Sequence, residues 1–145
     1  MSLFMTGFAD EAAADIAGQI AALKELGWTR LEARAVDGRN VHDLDDDAFE
    51  RTARALEDAG IGVCGFGSAI ANFNRSIDEP MDADLEAARR AIPRMQRLGT
   101  KQVRIMSYAV RADRAVDDQR EDERIDRLRI LCDLFLAEGL QPLHE

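Results

Sequence analysis

Four glycines set the organisation of this chain. They stand in matching contexts, LKELGWTRLEAR, LEDAGIGVCGFG, MQRLGTKQVRIM and FLAEGLQPLHE, as Gly27, Gly60, Gly99 and Gly139, spaced 33 to 40 residues apart. Each closes an amphipathic stretch, and an apolar run begins within a few residues of it. A glycine in that place suits the left-handed residue that ends a helix. The pattern predicts a helix–glycine–strand unit repeated four times. A further run at residues 4–9 reads as an opening strand. Five strands then alternate with four helices, which implies a parallel sheet.

The helices carry the expected stripes. Ile16, Ile20 and Leu23 fall on one face of the first, and Phe49, Ala53 and Leu56 mark the second. Ile125, Leu128, Leu131, Cys132 and Phe135 fall at helical spacing in the last. The third, residues 82–98, contains Pro93, which is expected to kink or break it. The connections from helix to strand are short. Those from strand to helix are long at residues 37–44, 69–81 and 109–118, so excess chain gathers at the C-terminal ends of the strands, where parallel α/β folds place ligands.

The length, 145 residues, is that of one domain covering 1–145. Nineteen basic against 28 acidic side chains leave a net charge of −9, which repels phosphate backbones and anionic lipid. No nucleic acid or membrane partner is therefore expected. The longest apolar run, residues 61–71, is too short and too rich in glycine to span a bilayer. The N-terminus has no secretory pattern. Cys64 and Cys132 form neither a CxxC pair nor a disulfide framework and read as buried thiols, so the expected location is cytoplasmic.

Two folds accommodate this order: a doubly wound sheet and part of a barrel. Glu32, Arg34 and Arg104 lie inside strands, so one side of the sheet must face a polar interior or mouth. A barrel rim offers that readily, whereas the strands of a doubly wound sheet should be almost continuously apolar. Pattern alone leaves both open.

The candidate chemistry is sparse. The run HDLDDD at residues 42–47 fails as a calcium loop, because Ala48 and Arg54 stand where glycine and glutamate are required. Its aspartates are better suited to capping a helix. Gly62, Gly65 and Gly67 lack a complete phosphate-binding fingerprint. They fit either a close-packed, bulged strand or a pocket lined by Ser68 and nearby amides. Glu32, Arg34 and Arg104 fit either a salt-bridge network or a site in which the arginines bind substrate oxygens while Glu32 orients them. Asp10 and Glu11 fit a helix N-cap. His42 and His144 are too few for a histidine-rich metal site. On spacing alone Glu145 reads as a frayed terminal residue, although a carboxylate at the end of a strand can supply one ligand to a hard or borderline cation.

The segments RLEARAVDGRNVHDLDDDAFE, AGIGVCGFGSAIANF, GTKQVRIMSY and GLQPLHE resemble the sugar phosphate isomerase/epimerase proteins of the xylose isomerase-like TIM barrel superfamily. The first two are the specific parts, and the likeness runs from Thr6 to Glu145. The sequence departs from the pattern at Cys64-Gly65-Phe66 and at Ala69, where members often carry proline.

The resemblance implies an α/β fold, a (β/α)₈ TIM barrel of which this chain holds the N-terminal part through the fifth strand. A whole barrel needs about 250 residues. It further implies metal-assisted proton transfer beside the carbonyl of a sugar or sugar phosphate, using a divalent cation (Mn, Mg, Co or Zn). Glu145 matches the first metal ligand and is a possible base; the other ligands lie on strands six to eight. Arg34, Arg104, Ser68 and Glu32 are the expected substrate-binding residues. The partner is then a small-molecule sugar, and unpaired sheet edges favour a homo-oligomer. By itself the 145-residue chain is expected to bind metal weakly and to lack isomerase activity. Two alternatives remain, an AP-endonuclease-like hydrolase of the same superfamily and a non-catalytic α/β binding module.

Overall fold

The computed structural model describes residues 3–145; Met1 and Ser2 of the expected 1–145 domain lie outside the described residues. Four helices, α1 (Ile16–Glu25), α2 (Asp46–Ala59), α3 (Asp82–Leu98) and α4 (Glu121–Ala137), alternate with strands β1 (Arg30–Ala33), β4 (Gly62–Phe66), β5 (Gln102–Ile105) and β6 (Gln141–His144). Strands β2 (Ala35–Val36) and β3 (Arg39–Asn40) form a small antiparallel hairpin between β1 and α2. The main sheet is parallel, in the order β1-β4-β5-β6.

This order decides between the two folds. Arg30 pairs directly with Gly62, which leaves no room for an opening strand between β1 and β4, as the doubly wound order requires. The chain instead builds a sequential arc, a partial barrel. The repeated glycines behave as expected: Gly27, Gly60, Gly99 and Gly139 all have φ between 69° and 71°, the left-handed region that ends each helix before its strand.

The sheet has two different faces. Leu31, Ala33, Phe66, Val103 and Ile105 are buried against Leu23, Leu56, Met95, Leu131 and Phe135 of the helices. Their neighbours along the strands, Glu32, Gly65, Arg104 and Leu143, line the opposite face around a cavity of about 300 Å³. Alternation along each strand thus puts the apolar core outside the arc and the polar residues inside it.

Several expectations need correction. Residues 4–9 do not form a strand. One backbone bond, from Glu32 N–H to the Gly7 carbonyl (3.0 Å), joins the segment to β1, and one bond is not a ladder. Of the two outcomes expected of Pro93, the break does not occur: α3 runs continuously from Asp82 to Leu98. Pro93 and Arg89, whose carbonyl it deprives of a donor, are both solvent-exposed, so water can take the place of the missing N–H. Cys64 and Cys132 are free thiols but only half-buried. The hairpin was hidden in an expected loop, although Asp37 (φ 52°) and Gly38 (φ 74°) form the Asp-Gly turn that two-residue hairpins favour.

Two buried arginines tie the loops to the helices. Arg94 of α3 donates to the carbonyls of Val41 (2.8 Å) and Leu44 (2.7 Å). Arg124 of α4 donates to those of Ser107 (2.6 Å), Ala109 (2.8 Å) and Gln119 (2.7 Å). The aspartates of HDLDDD do cap: the Asp45 carboxylate accepts from Ala48 N–H (2.8 Å) at the start of α2. Among the described residues, no helix is long and apolar enough to cross a membrane.

Candidate functional site at the strand ends

The C-terminal ends of the parallel strands deliver Arg34, Gly67, Ser68, Arg104 and Glu145 to one rim. Arg104 is the hub. Its Nη1 contacts Glu145 Oε2 (3.0 Å), while its Nε (3.3 Å) and Nη2 (3.1 Å) donate to the Ser68 carbonyl. Arg34 donates from Nε to Asp10 (2.8 Å) and from Nη2 to Glu11 (3.2 Å). The Asp10 hydrogen bond, more than any other contact, raises the Arg34 pKa above its ordinary value.

Phe8 joins the two arginines. The guanidinium carbons of Arg34 and Arg104 lie 4.3 and 5.3 Å from the centroid of its ring. Gly67 makes room for this: a Cβ there would sit 3.0 Å from Phe8 Cε1 and 3.1 Å from Arg34 Cβ. Glu32 lies on the same inner face across from Gly65, where a Cβ would be 3.3 Å from Glu32 Cγ, and it lines the inner cavity with Arg104. Both glycines therefore serve close approach within a bulged strand pairing, with the register shift falling between Leu31 and Glu32.

The expected site residues are placed as follows. Glu145, Ser68 and Arg104 touch one another through Arg104, and Arg34 joins them through Phe8. Glu32 enters no ion pair among the described residues and faces the cavity. Ser68 is fully buried; its hydroxyl bonds to the Arg104 carbonyl and accepts from Ile70 N–H (3.3 Å). Asp10 and Glu11 do not cap the first helix, a task taken by Asp15, whose carboxylate accepts from Gly18 N–H (2.9 Å). They hold Arg34 instead.

Sequence reasoning missed Phe8, because a lone aromatic in a short apolar run carries no chemical signature. Asp10 could have been found by its place directly after that run, at the rim opposite Arg34. Each guanidinium retains N–H groups beyond the bonds named, so the rim can receive the oxygens of a polar ligand.

The residues present do not make up a metal centre. No three histidine, cysteine, aspartate or glutamate side chains come together among the described residues, and Glu145 is a single carboxylate already facing Arg104.

The family model for the xylose isomerase-like TIM barrel matches residues 20–145. The chain belongs to this family. Solved structures agree on the fold. A xylose isomerase-like TIM barrel protein from Mycobacterium smegmatis, in complex with magnesium, superposes with a TM-score of 0.72 at 16% identity, over 97% of this chain and 54% of its own. D-allulose 3-epimerase from Methylomonas sp., in complex with D-allulose, gives 0.67 at 17% identity, over 98% and 50%. AP endonuclease, family 2, from Brucella melitensis gives 0.68 at 12% identity, over 98% and 55%. The chain thus spans about half the length of these structures. No curated protein matches its sequence.

Proposed function

We propose that this chain provides the first half of an isomerase or epimerase site that moves a proton beside the carbonyl of a sugar or sugar phosphate. The observation that carries the reading is the contact of Arg104 with Glu145 at the rim, 3.0 Å apart above a polar inner face. Arg104 and Arg34 would bind the oxygens of the substrate and stabilise negative charge as it develops on the carbonyl oxygen. Glu145, held by Arg104, would take the proton from the neighbouring carbon. Glu32 would receive a hydroxyl on the inner face, and Ser68 would act through its carbonyl, which fixes Arg104. That a structural neighbour of the family binds D-allulose supports a sugar as the ligand, and another's magnesium supports a divalent cation. In this reading Glu145 is one ligand of that cation and the rest come from groups outside residues 3–145.

The test is incorporation of solvent deuterium beside the carbonyl, followed by NMR with manganese present and a panel of ketoses and ketose phosphates. The sample is the full natural polypeptide that carries this sequence. Label that appears with the wild type and vanishes in Glu145→Gln supports the reading. Cleavage of abasic DNA without any label would transfer the site to the endonuclease-like hydrolases. Label unchanged by Glu145→Gln would remove Glu145 from the reaction.

A further inference from the structure

A cavity of about 660 Å³ lies between the loop after β5, the first two turns of α4 and the end of β6. None of Arg34, Ser68, Arg104 and Glu145 borders it. Its wall is chiefly apolar. Val110, Val116, Ile125 and Leu128 border it, and the first three are 77%, 89% and 39% exposed. Apolar side chains left in water along one depression mark a place where the apolar part of a ligand can be covered.

The charged groups on the wall are unequal. Three are guanidiniums, those of Arg111, Arg114 and Arg124, and one is the carboxylate of Glu121, an exposed residue. The arginines are held differently. Arg124 is buried, donates to three backbone carbonyls and meets no carboxylate among the described residues, so its charge has no counter-ion. Arg111 is saturated: Nε and Nη2 donate to Asp113 (3.0 and 2.8 Å), and Nη1 reaches Asp78. Arg114 is not. Only its Nη2 is engaged, 3.2 Å from both oxygens of Asp78, while Nε and Nη1 enter no hydrogen bond among the described residues. Its side chain is 28% exposed and so open to a solute. Asp78 also holds Arg111 and Arg120 (2.9 Å), and it keeps both if Arg114 turns to a ligand.

This set selects a ligand chemistry. A cation meets three guanidiniums and is repelled. A doubly charged phosphate finds one guanidinium with free donors and loses its hydration against apolar walls. A single carboxylate on an apolar body matches both parts: its charge suits Arg114, within the field of Arg124, and its hydrocarbon suits the valines and α4.

We propose that this cavity binds a small carboxylate with an apolar body, the carboxylate on Arg114 and the body against Val110, Val116, Ile125 and Leu128. The proposal does not depend on the reaction assigned to Glu145.

The full natural polypeptide that carries this sequence is tested by equilibrium dialysis with phenylacetate, and with phenylacetamide, acetate and inorganic phosphate for comparison. The expected result is saturable binding of phenylacetate in the millimolar range, with each of the other three held about tenfold more weakly. Arg114→Met should weaken phenylacetate about tenfold, the loss of one charge-assisted hydrogen bond, and Arg114→Lys should restore part of it. Val116→Asp, at a position 89% exposed, puts a carboxylate on the wall and should weaken binding without moving the thermal midpoint. Glu145→Gln should leave it unchanged. Absence of saturable phenylacetate binding would overturn the proposal. So would binding that survives both Arg114→Met and Val116→Asp, binding lost in Glu145→Gln, or equal binding of the amide or of phosphate.

Discussion

Replacing Arg94 by methionine keeps the aliphatic stem that packs in α3 and removes only the guanidinium. The group is 7% exposed and serves two backbone carbonyls, those of Val41 and Leu44, in the segment leading into α2. Both residues are buried, so neither carbonyl finds water easily once its donor is gone. Each orphaned acceptor costs about 1–3 kcal/mol. The contact with Asp46 (3.1 Å) adds little, because that carboxylate is fully exposed. The stacking on Phe49, 4.8 Å from the ring centroid, adds about 0.5–1 kcal/mol. Allowing for partial relaxation of the loop, Arg94→Met should cost about 3 kcal/mol. With a urea slope of about 2 kcal/mol per molar for a chain of this size, the unfolding midpoint should fall by about 1.5 M at an unchanged slope. A loss below about 1 kcal/mol would refute the view that this guanidinium satisfies otherwise stranded carbonyls.

Tyr108 is the only tyrosine, and burial, aided by the nearby negative Asp84, pushes its pKa up to about 12. An unfolded tyrosine ionises near 10, so between about 10 and 12 the unfolded chain gives up the proton first and stability declines as pH rises. Phenolate absorbance of the folded protein should therefore stay flat through about pH 10, and an ordinary titration there would contradict the burial argument. Gly67→Ala places a methyl group 3.0 Å from Phe8, 3.1 Å from Arg34 and 3.3 Å from the Ala33 carbonyl. It should cost about 1–3 kcal/mol in thermal or urea unfolding, and a cost under about 0.5 kcal/mol would mean that Phe8 is not fixed over β4.

The repeating unit was legible because it rests on local chemistry: a glycine with positive φ after a helix, and an apolar run after the glycine. The polar inner face was legible too, since Glu32, Arg34 and Arg104 have no reason to interrupt apolar strands unless one side of the sheet is not packed by helices. What a residue bonds to was not. Asp10 and Glu11 look like helix caps in sequence, and only the proximity of β1 to the opening segment turns them toward Arg34. Ser68 looks like a pocket hydroxyl, yet folding places it against the backbone of β5. The stacking of two arginines on Phe8 depends on three segments meeting over Gly67, and no spacing along the chain encodes such a meeting. The strand expected at residues 4–9 failed for a related reason: a ladder needs a partner in register, and composition supplies only the propensity.

The grip of Arg124 on the carbonyls of Ser107, Ala109 and Gln119 has a consequence for how this protein can change. Every residue offers the same carbonyl, whatever its side chain. The loop after β5 is therefore anchored by a feature that substitution along it cannot delete. Its side chains, Val110, Arg111, Arg114 and Val116 among them, border a cavity of about 660 Å³ beside the end of β6. Val110 and Val116 are exposed and can be exchanged while these main-chain bonds stay in place, whereas Arg111 and Arg114 also pair with Asp78 and tie the loop through their side chains. A rim secured in this way is open to new ligand preferences by small steps, and randomising Val110 and Val116 is a practical place to begin redesign.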